Sequence, residues 1–482
     1  MKLVSSNNLH KLLLLIILFF LVIVSFNKTM GEDEGRFSYM GRVWVENDLP
    51  PYTGSIENKT PGIFILNAIS YALFGTNVFF MRTIGIISLL LASLIIYKIG
   101  TQLHSYRAGV FAMTVFGLTM SWRMMDGAFA SLTESFMILF TVLSFYIIIK
   151  KKTSINWRYW TFAAGLSMGL AIAFKQIALT STIALIFYYI INNHKNGKIR
   201  DSIIGLILIC FGILTSTIIS IVPLWISNVQ IIDYINGAWL LLSDEGSTPS
   251  FLYRFISARE LWMESRMNFF YPFLILLVFQ QNLLKKKYFL GLFVWLIFDF
   301  IGVNSSGYYF GHQIKQLIPS LSIIIGILLG NLIEVYIKNV YEQSKYTRGI
   351  LIFLLIFMLP YNLMIDDYIR IHHKNYIEPS KEIGLFIKEN TNPDDFVFFM
   401  TNANAILSYT ERVSSSRYFN PLFINDPTEY SEVYFDLITK PPKYIIRGKI
   451  NIWDFTNQIE DYVNQNYVLY AQIYDFLIYK KN

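Results

Sequence analysis

The sequence predicts a polytopic α-helical membrane protein of about 11 transmembrane helices, with interfacial helices in its first outer loop and a small C-terminal α/β domain outside the membrane. Composition is the first observation: 54% of the 482 residues are hydrophobic and 15% are charged, whereas soluble domains carry about 25% charged residues. The second is a series of apolar segments near the length of about 20 residues that spans a bilayer. The third is an uneven distribution of Lys and Arg between alternate loops. The single cysteine, Cys210, lies within an apolar run, which excludes a disulfide framework.

The predicted spans follow one another along most of the chain. They are centred on residues 9–27, 78–97, 106–122, 132–149, 158–176, 178–193, 203–226, 269–284, 288–303, 316–337 and 348–364. The stretch "SFNKTMGE" after the first span contains no small-residue cleavage site. This span is therefore predicted to be a retained anchor and not a removed signal peptide.

Charge in the loops predicts the orientation of the chain. With the N-terminus in the cytoplasm, the cytoplasmic segments contain 17 Lys and Arg residues against three acids. Because the whole chain has a net charge of +7, the outer segments and the C-terminal tail are together acidic. The excess of basic residues therefore reflects the orientation of the chain in the membrane, and nucleic acid is excluded as a partner. We expect a multi-pass protein of the plasma membrane with its C-terminal domain outside the cytoplasm.

Two domains are predicted, a transmembrane domain of residues 1–365 that holds the candidate catalytic residues and an extracytoplasmic α/β domain of residues 366–482. The second has a soluble composition, with 12 Lys and Arg residues and 16 Asp and Glu residues. Its stretch "EPSKEIGLFIKENTNPDD" predicts a capped helix. "FVFFM", "KYIIRG" and "YVLYAQIYDFLIYKK" predict strands, and helices are predicted near residues 430–438 and 451–463.

The first outer loop, residues 27–77, predicts two helices that lie along the membrane surface. In the first of them apolar residues recur at helical spacing and form one face, with charged residues opposite. The apolar positions are Phe37, Met40, Val43 and Trp44, and the charged ones are Arg36, Arg42 and Glu46. The second helix, "PGIFILNAISYALFG", begins with Pro and ends with Gly, and it is too short to span.

Three carboxylates, Glu32, Asp33 and Glu34, open this loop. A carboxylate at the membrane surface can act as a general base on a water-borne substrate that meets a lipid-held one. The alternative for Asp33 is that it caps the helix. Glu32 and Glu34 are expected to be solvated, and Glu34 is kept as a possible supporting residue. Lys59 precedes the Pro-started helix and is typical of a phosphate site, because its ammonium and the free helix N–H groups converge.

Ionisable residues also mark the outer ends of later spans, where they are functional candidates. Asp126 and Glu134 lie at the outer mouth of the fourth span. Their alternatives are an ordinary loop acid for Asp126 and a helix N-terminal acid for Glu134. Lys175 lies between two spans at the outer face and breaks the positive-inside pattern. Either an anionic ligand or one of these acids is expected to compensate its charge.

The segment "GYYFGHQIKQLIP" places Tyr309, His312 and Lys315 at the outer mouth of the tenth span. A His–Lys pair among tyrosines suits a phosphate and a sugar ring, although a lone His can also be structural. Arg259 and Arg266 in the long third outer loop either extend this basic lining or form surface pairs with nearby acids.

Other kinds of site chemistry have no motif in the sequence. There is no phosphate-cradling Gly-rich loop with GK[ST], no zinc-spaced Cys/His set and no HExxH. A soluble nucleotide is therefore not the expected donor, and the membrane is expected to supply the energy-rich substrate.

Several short motifs, in their order along the chain, resemble the C-type (GT-C) membrane glycosyltransferases, in the branch of the protein O-mannosyltransferases and bacterial aminoarabinose transferases. "DEGRFSYMGRVW" and "NKTPGIFILNAISYALFGTNVFFMRTIGII" resemble the first outer loop of that group. "SLTESFMILF", "GLAIAFKQIAL" and "YYFGHQIKQLIPSL" are similar to its second acidic, glycine–lysine and "HY…LP" segments. "IKENTNPDDFVFFM" and "SSSRYF" resemble its small outer domain. The sequence departs from the group where Asn58 replaces a Glu, where Glu134 replaces an Asp, and where the outer domain is too short for a β-trefoil insert.

The resemblance implies an inverting transfer of a sugar from a polyprenyl- or dolichyl-phosphate donor. Asp33 would deprotonate the acceptor hydroxyl, while Lys59, Lys175 and His312 would stabilise the departing phosphate. Glu134 would position a substrate or tune Asp33. No cofactor is required, and a divalent cation between Asp33 and Glu134 is left open.

Two other function classes are alternatives: a transporter or flippase of lipid-linked sugars, and a non-catalytic envelope assembly factor. A flippase needs polar groups through the whole depth of the membrane, whereas the ionisable residues here cluster at the outer boundary, with Asp299 as the main exception. Within the enzyme class, an oligosaccharyltransferase is a further alternative. The donor sugar and the acceptor, whether protein, lipid or glycan, are left open.

Overall fold

The computed structural model forms two compact units. It describes residues 8–26, 29–122, 131–151, 155–193, 199–241, 250–305, 307, 309–358, 378–424, 426–448 and 458–482. The first unit comprises Met1–Asn27, Arg82–Ser220 and Thr248–Ile369, and the second comprises Lys28–Met81, Ile221–Ser247 and Arg370–Asn482. The first outer loop thus belongs to the same unit as the C-terminal tail (residues 370–482), which the sequence analysis did not predict.

The regular elements in the described residues of the first unit are all helices. Its helices are α1 (Leu9–Phe26), α4 (Val78–Leu103, which begins in the second unit), α5 (Tyr106–Thr119), α6 (Thr133–Lys151), α7 (Trp157–Phe174), α8 (Ala178–Asn193), α9 (Ile199–Ile226, which ends in the second unit), α11 (Phe251–Glu264), α12 (Tyr271–Phe279), α13 (Gln281–Leu284), α14 (Lys287–Ser305), α15 (Ile318–Tyr336) and α16 (Val340–Met358). Short 3₁₀ helices at Met267–Phe270 and Gly311–Leu317 precede α12 and α15.

Six helical segments in the described residues are long and apolar enough to cross a membrane. They are α1, α4, α6, α9, α14 and the continuous segment Gly311–Tyr336. Other predicted spans correspond to shorter helices, such as the 14-residue α5. The helical membrane architecture is therefore confirmed, while the number of eleven spans stays a prediction.

Small residues allow the helices α5 and α15 to approach closely. A Cβ atom built on Gly326 of α15 would lie 2.5 Å from the carbonyl oxygen of Ala108 in α5. Such contact between backbones is a common basis of helix packing in membranes, where burial of apolar surface drives little association.

The second unit contains a four-stranded sheet formed by the tail. Its strands are β1 (Val397–Phe399), β2 (Tyr444–Gly448), β3 (Tyr467–Ile473) and β4 (Phe476–Lys481) in the order β1-β2-β4-β3. The first two are parallel, and the other pairs are antiparallel. The tail helices are α17 (Pro379–Glu389), α18 (Asn404–Thr410), α19 (Pro427–Thr439) and α20 (Gln458–Asn466). The predicted strands are confirmed, and so is the helix at Pro379–Glu389, although its N-cap residue Glu378 makes no side-chain capping hydrogen bond. The part of the last predicted helix at 451–457 lies outside the described residues.

The first outer loop forms α2 (Glu32–Asn47) and α3 (Gly62–Phe74), followed later in the same unit by the short α10 (Ile231–Ile235) and a π-helical turn at Asn236–Leu240. Phe37 of α2 packs edge-on against Phe64 of α3, with ring centroids 6.0 Å apart. The charged face of α2 is also covered, since Arg36 and Arg42 are only 7% and 2% exposed. Arg42 donates a hydrogen bond to the carbonyl of Arg412 in the tail at 2.7 Å. The tail therefore covers the face that the sequence analysis placed opposite the apolar one.

Candidate active site

The three carboxylates at the start of α2 have three different environments. Gly31 is the N-cap residue, and its backbone N–H donates to the Glu34 carboxylate at 3.1 Å. The Glu32 carboxylate accepts a hydrogen bond from the backbone N–H of Ala405 at 3.2 Å, and burial raises the pKa of Glu32 above its ordinary value. The expectation of solvation is wrong for Glu34, which is 5% exposed, whereas Glu32 is half-buried.

Asp33 belongs to a chain of alternating charges, which we call the charge chain: Asp33, Arg36, Glu57 and Lys59. Asp33 and Arg36 form an ion pair one helical turn apart. Arg36 Nε lies 3.0 Å from Glu57 Oε2, and Lys59 Nζ lies 3.5 Å from Glu57 Oε1. The two inner side chains are 9% and 0% exposed, whereas Asp33 and Lys59 at the ends are 28% and 18% exposed.

The inner pair is fixed by its surroundings. The Arg36 guanidinium lies 5.7 Å from the ring centroids of both Phe37 and Phe423. Burial lowers the pKa of Arg36, but the carboxylates of Glu57 and Asp33 raise it by more, so the net shift is upward. Arg36 is therefore a permanent cation that holds both carboxylates in place.

The turn that carries Glu57 and Lys59 is held by backbone contacts. The backbone N–H of Ile56 donates to the carbonyl of Arg417 in the tail at 3.0 Å. Tyr52 donates from its hydroxyl to the Lys59 carbonyl at 2.6 Å, and burial raises the pKa of Tyr52 well above its usual value. Lys59 Nζ donates to Asn58 Oδ1 at 2.5 Å. The ammonium at the accessible end of the charge chain is thus oriented from both its side chain and its backbone.

A second cluster lies in the first unit, and we call it the Glu134 group: Glu134, Lys175, His312 and Lys315. Glu134 and Lys175 form an ion pair, with side chains 1% and 7% exposed. His312 Nε2 lies 3.7 Å from the same carboxylate, and Lys315, 1% exposed, acts on it electrostatically. Of the two expected compensating groups for Lys175, an anionic ligand or a nearby acid, the structure provides the acid, Glu134. His312 also stacks on Phe310, with ring centroids 5.7 Å apart.

A polar network joins the segments that carry this group. Asp299 of α14 accepts hydrogen bonds from Ser181 Oγ at 2.6 Å and from Gln316 Nε2 at 3.3 Å. Gln316 also donates to the carbonyl of Ile177 at 3.2 Å. Because Gln316 follows Lys315 and Ile177 lies two residues after Lys175, these bonds hold the two lysine-bearing segments together.

The other candidate residues have less defined environments. Asp126 lies outside the described residues. Tyr309 is half-buried with a left-handed φ of 53°, and burial raises the pKa of its hydroxyl, opposed by the charge of Arg254. Arg259 and Arg266 are exposed.

The structure brings candidates together within each unit. Asp33 and Lys59 are joined through the charge chain in the second unit, whereas Lys175, His312 and Lys315 meet around Glu134 in the first. Convergence of the two sets stays a prediction, as does a cation between Asp33 and Glu134. Among the described residues, no group of three or more His, Cys, Asp and Glu side chains is arranged to hold a metal ion.

Sequence reasoning missed the two inner members of the charge chain. Arg36 lies three residues after Asp33, a spacing that pairs charges on a helix, so this contact was open to prediction. Glu57 gave no comparable signal, because its contact with Arg36 depends on how the loop folds back onto α2.

Comparisons with known proteins support the resemblance that the motifs indicate. The profile of the family described as dolichyl-phosphate-mannose-protein mannosyltransferase matches residues 58–221, a range that includes Lys59, Glu134 and Lys175. No curated protein sequence matches the chain.

Solved structures share the fold over nearly the whole chain. ArnT from Cupriavidus metallidurans in the apo state is similar with a TM-score of 0.64 at 14% identity, covering 98% of this chain and 97% of that one. The same protein bound to undecaprenyl phosphate gives a TM-score of 0.58 at 13% identity, with the same coverage. The archaeal oligosaccharyltransferase AglB from Archaeoglobus fulgidus, in complex with an inhibitory peptide and a dolichol-phosphate, gives 0.58 at 12% identity, covering 91% of this chain and 69% of that one. The resemblance to GT-C membrane glycosyltransferases of the ArnT and protein mannosyltransferase type is confirmed.

Proposed function

We propose that this chain, with its glycosyltransferase fold, is an inverting enzyme that transfers a sugar from a polyprenyl-phosphate donor to an acceptor hydroxyl at the outer face of the membrane. The observation that carries the proposal is the charge chain, which ends in an accessible carboxylate, Asp33, and an accessible ammonium, Lys59. A displacement at a sugar phosphate needs a base and a cation of this kind. The similar ArnT structure with bound undecaprenyl phosphate supports a lipid-linked phosphate as the leaving group.

In the proposed step, Asp33 accepts the proton of the acceptor hydroxyl as its oxygen attacks the anomeric carbon. The bond between that carbon and the phosphate oxygen breaks, and its electron pair leaves with the polyprenyl phosphate. A single displacement of this kind inverts the configuration at the anomeric carbon. General base catalysis by a positioned side chain contributes typically about 10²–10⁴ in rate.

Lys59 is assigned to the phosphate. Negative charge grows on the leaving oxygen, and a preorganised ammonium stabilises it without further reorganisation. Glu57 and Arg36 hold Lys59 and Asp33 in place through the ion pairs of the charge chain.

The Glu134 group is proposed to bind anionic parts of the substrate. Two ammonium groups and an imidazole surround one carboxylate, so positive charge exceeds negative charge within the group even when His312 is neutral. Glu134 is proposed to orient Lys175 and not to act as a base, because it is 1% exposed and paired. A charge excess held in a buried setting favours phosphate binding.

Turnover of purified protein in nanodiscs with radiolabelled polyprenyl-phosphate mannose tests the proposal. The wild type is compared with Asp33→Asn and with the matched control Asp48→Asn. Asp48 is exposed at the other end of the same helix, in a left-handed conformation that Asn tolerates. In the wild type we expect transfer of the labelled sugar to an acceptor or to water, with release of free polyprenyl phosphate. The turnover rate should fall by about 10²–10⁴ in Asp33→Asn and stay unchanged in the control.

Two results would contradict the proposal. Turnover undiminished in Asp33→Asn would remove Asp33 as the base. Absence of turnover in the wild type across mannose, other hexoses and aminopentoses, together with movement of the intact lipid between leaflets, would favour the transporter.

A further inference from the structure

The first turn of α2 is attached to the tail through Glu32. Glu32 accepts a hydrogen bond from the backbone N–H of Ala405 at 3.2 Å, and the nearby backbone N–H of Asn404 favours the charged form of the same carboxylate. Both residues open α18. The residue next to the proposed base is therefore bound to a segment that lies 373 positions further along the chain.

Two more contacts fix the same turn. The backbone N–H of Met30 donates to Glu378 Oε1 at 3.2 Å, and the Tyr409 hydroxyl donates to the same oxygen at 3.3 Å. A Cβ atom built on Gly35 would lie 2.5 Å from Ala405 Cα, so the backbones of α2 and α18 are in direct contact. The entry to the helix, its first residue and its fourth residue are thus all held by the tail.

The directions of the three carboxylates follow from this attachment. Successive residues of an α-helix project about 100° apart, so when Glu32 points to the tail, Asp33 must point elsewhere. The Glu34 carboxylate accepts a hydrogen bond from the backbone N–H of Gly31. Asp33 pairs with Arg36 and is 28% exposed, so its contacts differ from those of the two flanking acids.

We infer that Glu32 is a positioning residue, which fixes the direction of Asp33 by anchoring the first turn of α2 to the tail segment Asn404–Thr410. The inference rests on the proposed function, because it assigns Glu32 a role only through Asp33 as the base. It also makes the tail part of the catalytic apparatus. Since a misplacement of about 1 Å can cost about 10²-fold in rate, loss of the anchor lowers kcat by about 10–100-fold and leaves the donor KM unchanged.

Three variants and one control test the role of Glu32. Glu32→Ala removes the anchor, and Glu32→Asp shortens it by one methylene while keeping the charge, so both should lose kcat. Glu32→Gln keeps an oxygen acceptor at the same reach and should restore kcat to within about threefold of the wild type, since most of the hydrogen bonding is retained. The control is Glu382→Ala, because Glu382 accepts a hydrogen bond from the Tyr474 hydroxyl within the tail.

A double variant separates positioning from general stability. If Glu32 acts only through Asp33, Glu32→Ala causes no further loss of turnover when Asp33→Asn is already present. An equal loss in both backgrounds would overturn the inference and show that Glu32 only supports the fold. If Glu32→Ala does not fold, Glu32→Asp is used in the same cycle with the same expectation.

The failure of this inference and that of the proposed function give different results. Wild-type kcat in Glu32→Ala and Glu32→Asp, together with loss of turnover in Asp33→Asn, would refute the role of Glu32 and leave the base assignment standing. Wild-type turnover in Asp33→Asn would refute the base assignment itself. A rise in the donor KM without a change in kcat would also refute positioning of the base.

Discussion

Removing either partner of the Glu134–Lys175 pair should destabilise the protein by unequal amounts. The two side chains are 1% and 7% exposed, and loss of one partner of a buried ion pair costs about 3–5 kcal/mol. After Lys175→Met, the carboxylate still faces His312 at 3.7 Å, so we expect the lower part of this range. Glu134→Leu removes the acid that faces every cation of the group, so we expect the upper part.

The double variant Glu134→Leu/Lys175→Met should be more stable than Glu134→Leu alone, because apolar side chains can replace a buried ion pair with little cost. Side chains in direct contact show coupling energies of about 0.5–3 kcal/mol, and the coupling energy of this pair should lie near the upper end of that range. The order of stabilities is measured by thermal unfolding of the wild type, the two single variants and the double variant in the same detergent. Lys388→Met is the control: its pair with Glu411 is 37% and 38% exposed, so a change of at most about 1 kcal/mol is expected.

Additive losses would refute this reasoning. If the double variant unfolds at a temperature lowered by the sum of the two single shifts, the carboxylate and the ammonium do not depend on each other. Turnover supplies a second comparison, because the double variant should recover stability without recovering activity if the Lys175 ammonium binds phosphate.

Three further predictions concern single buried groups. Arg36→Lys should lower kcat by about 10-fold in the sugar-transfer assay, because one ammonium cannot replace a guanidinium that meets two carboxylates. Asp299→Leu should lower the unfolding temperature more than Asp299→Asn, since it removes the acceptor of the buried Ser181 hydroxyl, which costs about 1–3 kcal/mol. Because burial raises the pKa of Glu32 above 4.5, the native state holds an extra proton above pH 4.5 and stability falls as pH rises through the raised pKa. Glu32→Gln should therefore gain unfolding temperature relative to the wild type across this window, and the difference should become constant at higher pH.

The fold was largely predictable because its strongest determinants are local. Long apolar runs predicted helices such as α4 and α9, and the alternating tail segments predicted the strands. Lys175 was predicted to need a compensating charge because it breaks the distribution of Lys and Arg, and Glu134 supplies that charge. The number of spans was harder to predict from the sequence. A short apolar helix such as the 14-residue α5 can be buried by neighbouring helices, so its apolar composition does not show that it crosses the bilayer.

The candidate site was less predictable because its inner contacts are tertiary. Glu57 is 0% exposed and meets Arg36 only because the loop folds back onto α2. A sequence pattern shows the spacing of charges within one helix, but it does not show which loop a side chain will reach. For the same reason the pairing of Glu32 with Ala405, at the far end of the chain, had no signal in the sequence.

The three acids at the start of α2 show how one pattern can serve three purposes. In a list of residues Glu32, Asp33 and Glu34 are equivalent, and their charge alone would favour the N-terminus of any helix. Their partners separate them: Glu34 bonds to Gly31, Glu32 bonds to Ala405, and Asp33 faces Arg36. Because helical geometry sends the three side chains in different directions, anchoring the outer two leaves the direction of the middle one fixed. A carboxylate proposed to remove a proton needs a fixed direction, and here the flanking acids, which look redundant in the sequence, provide it.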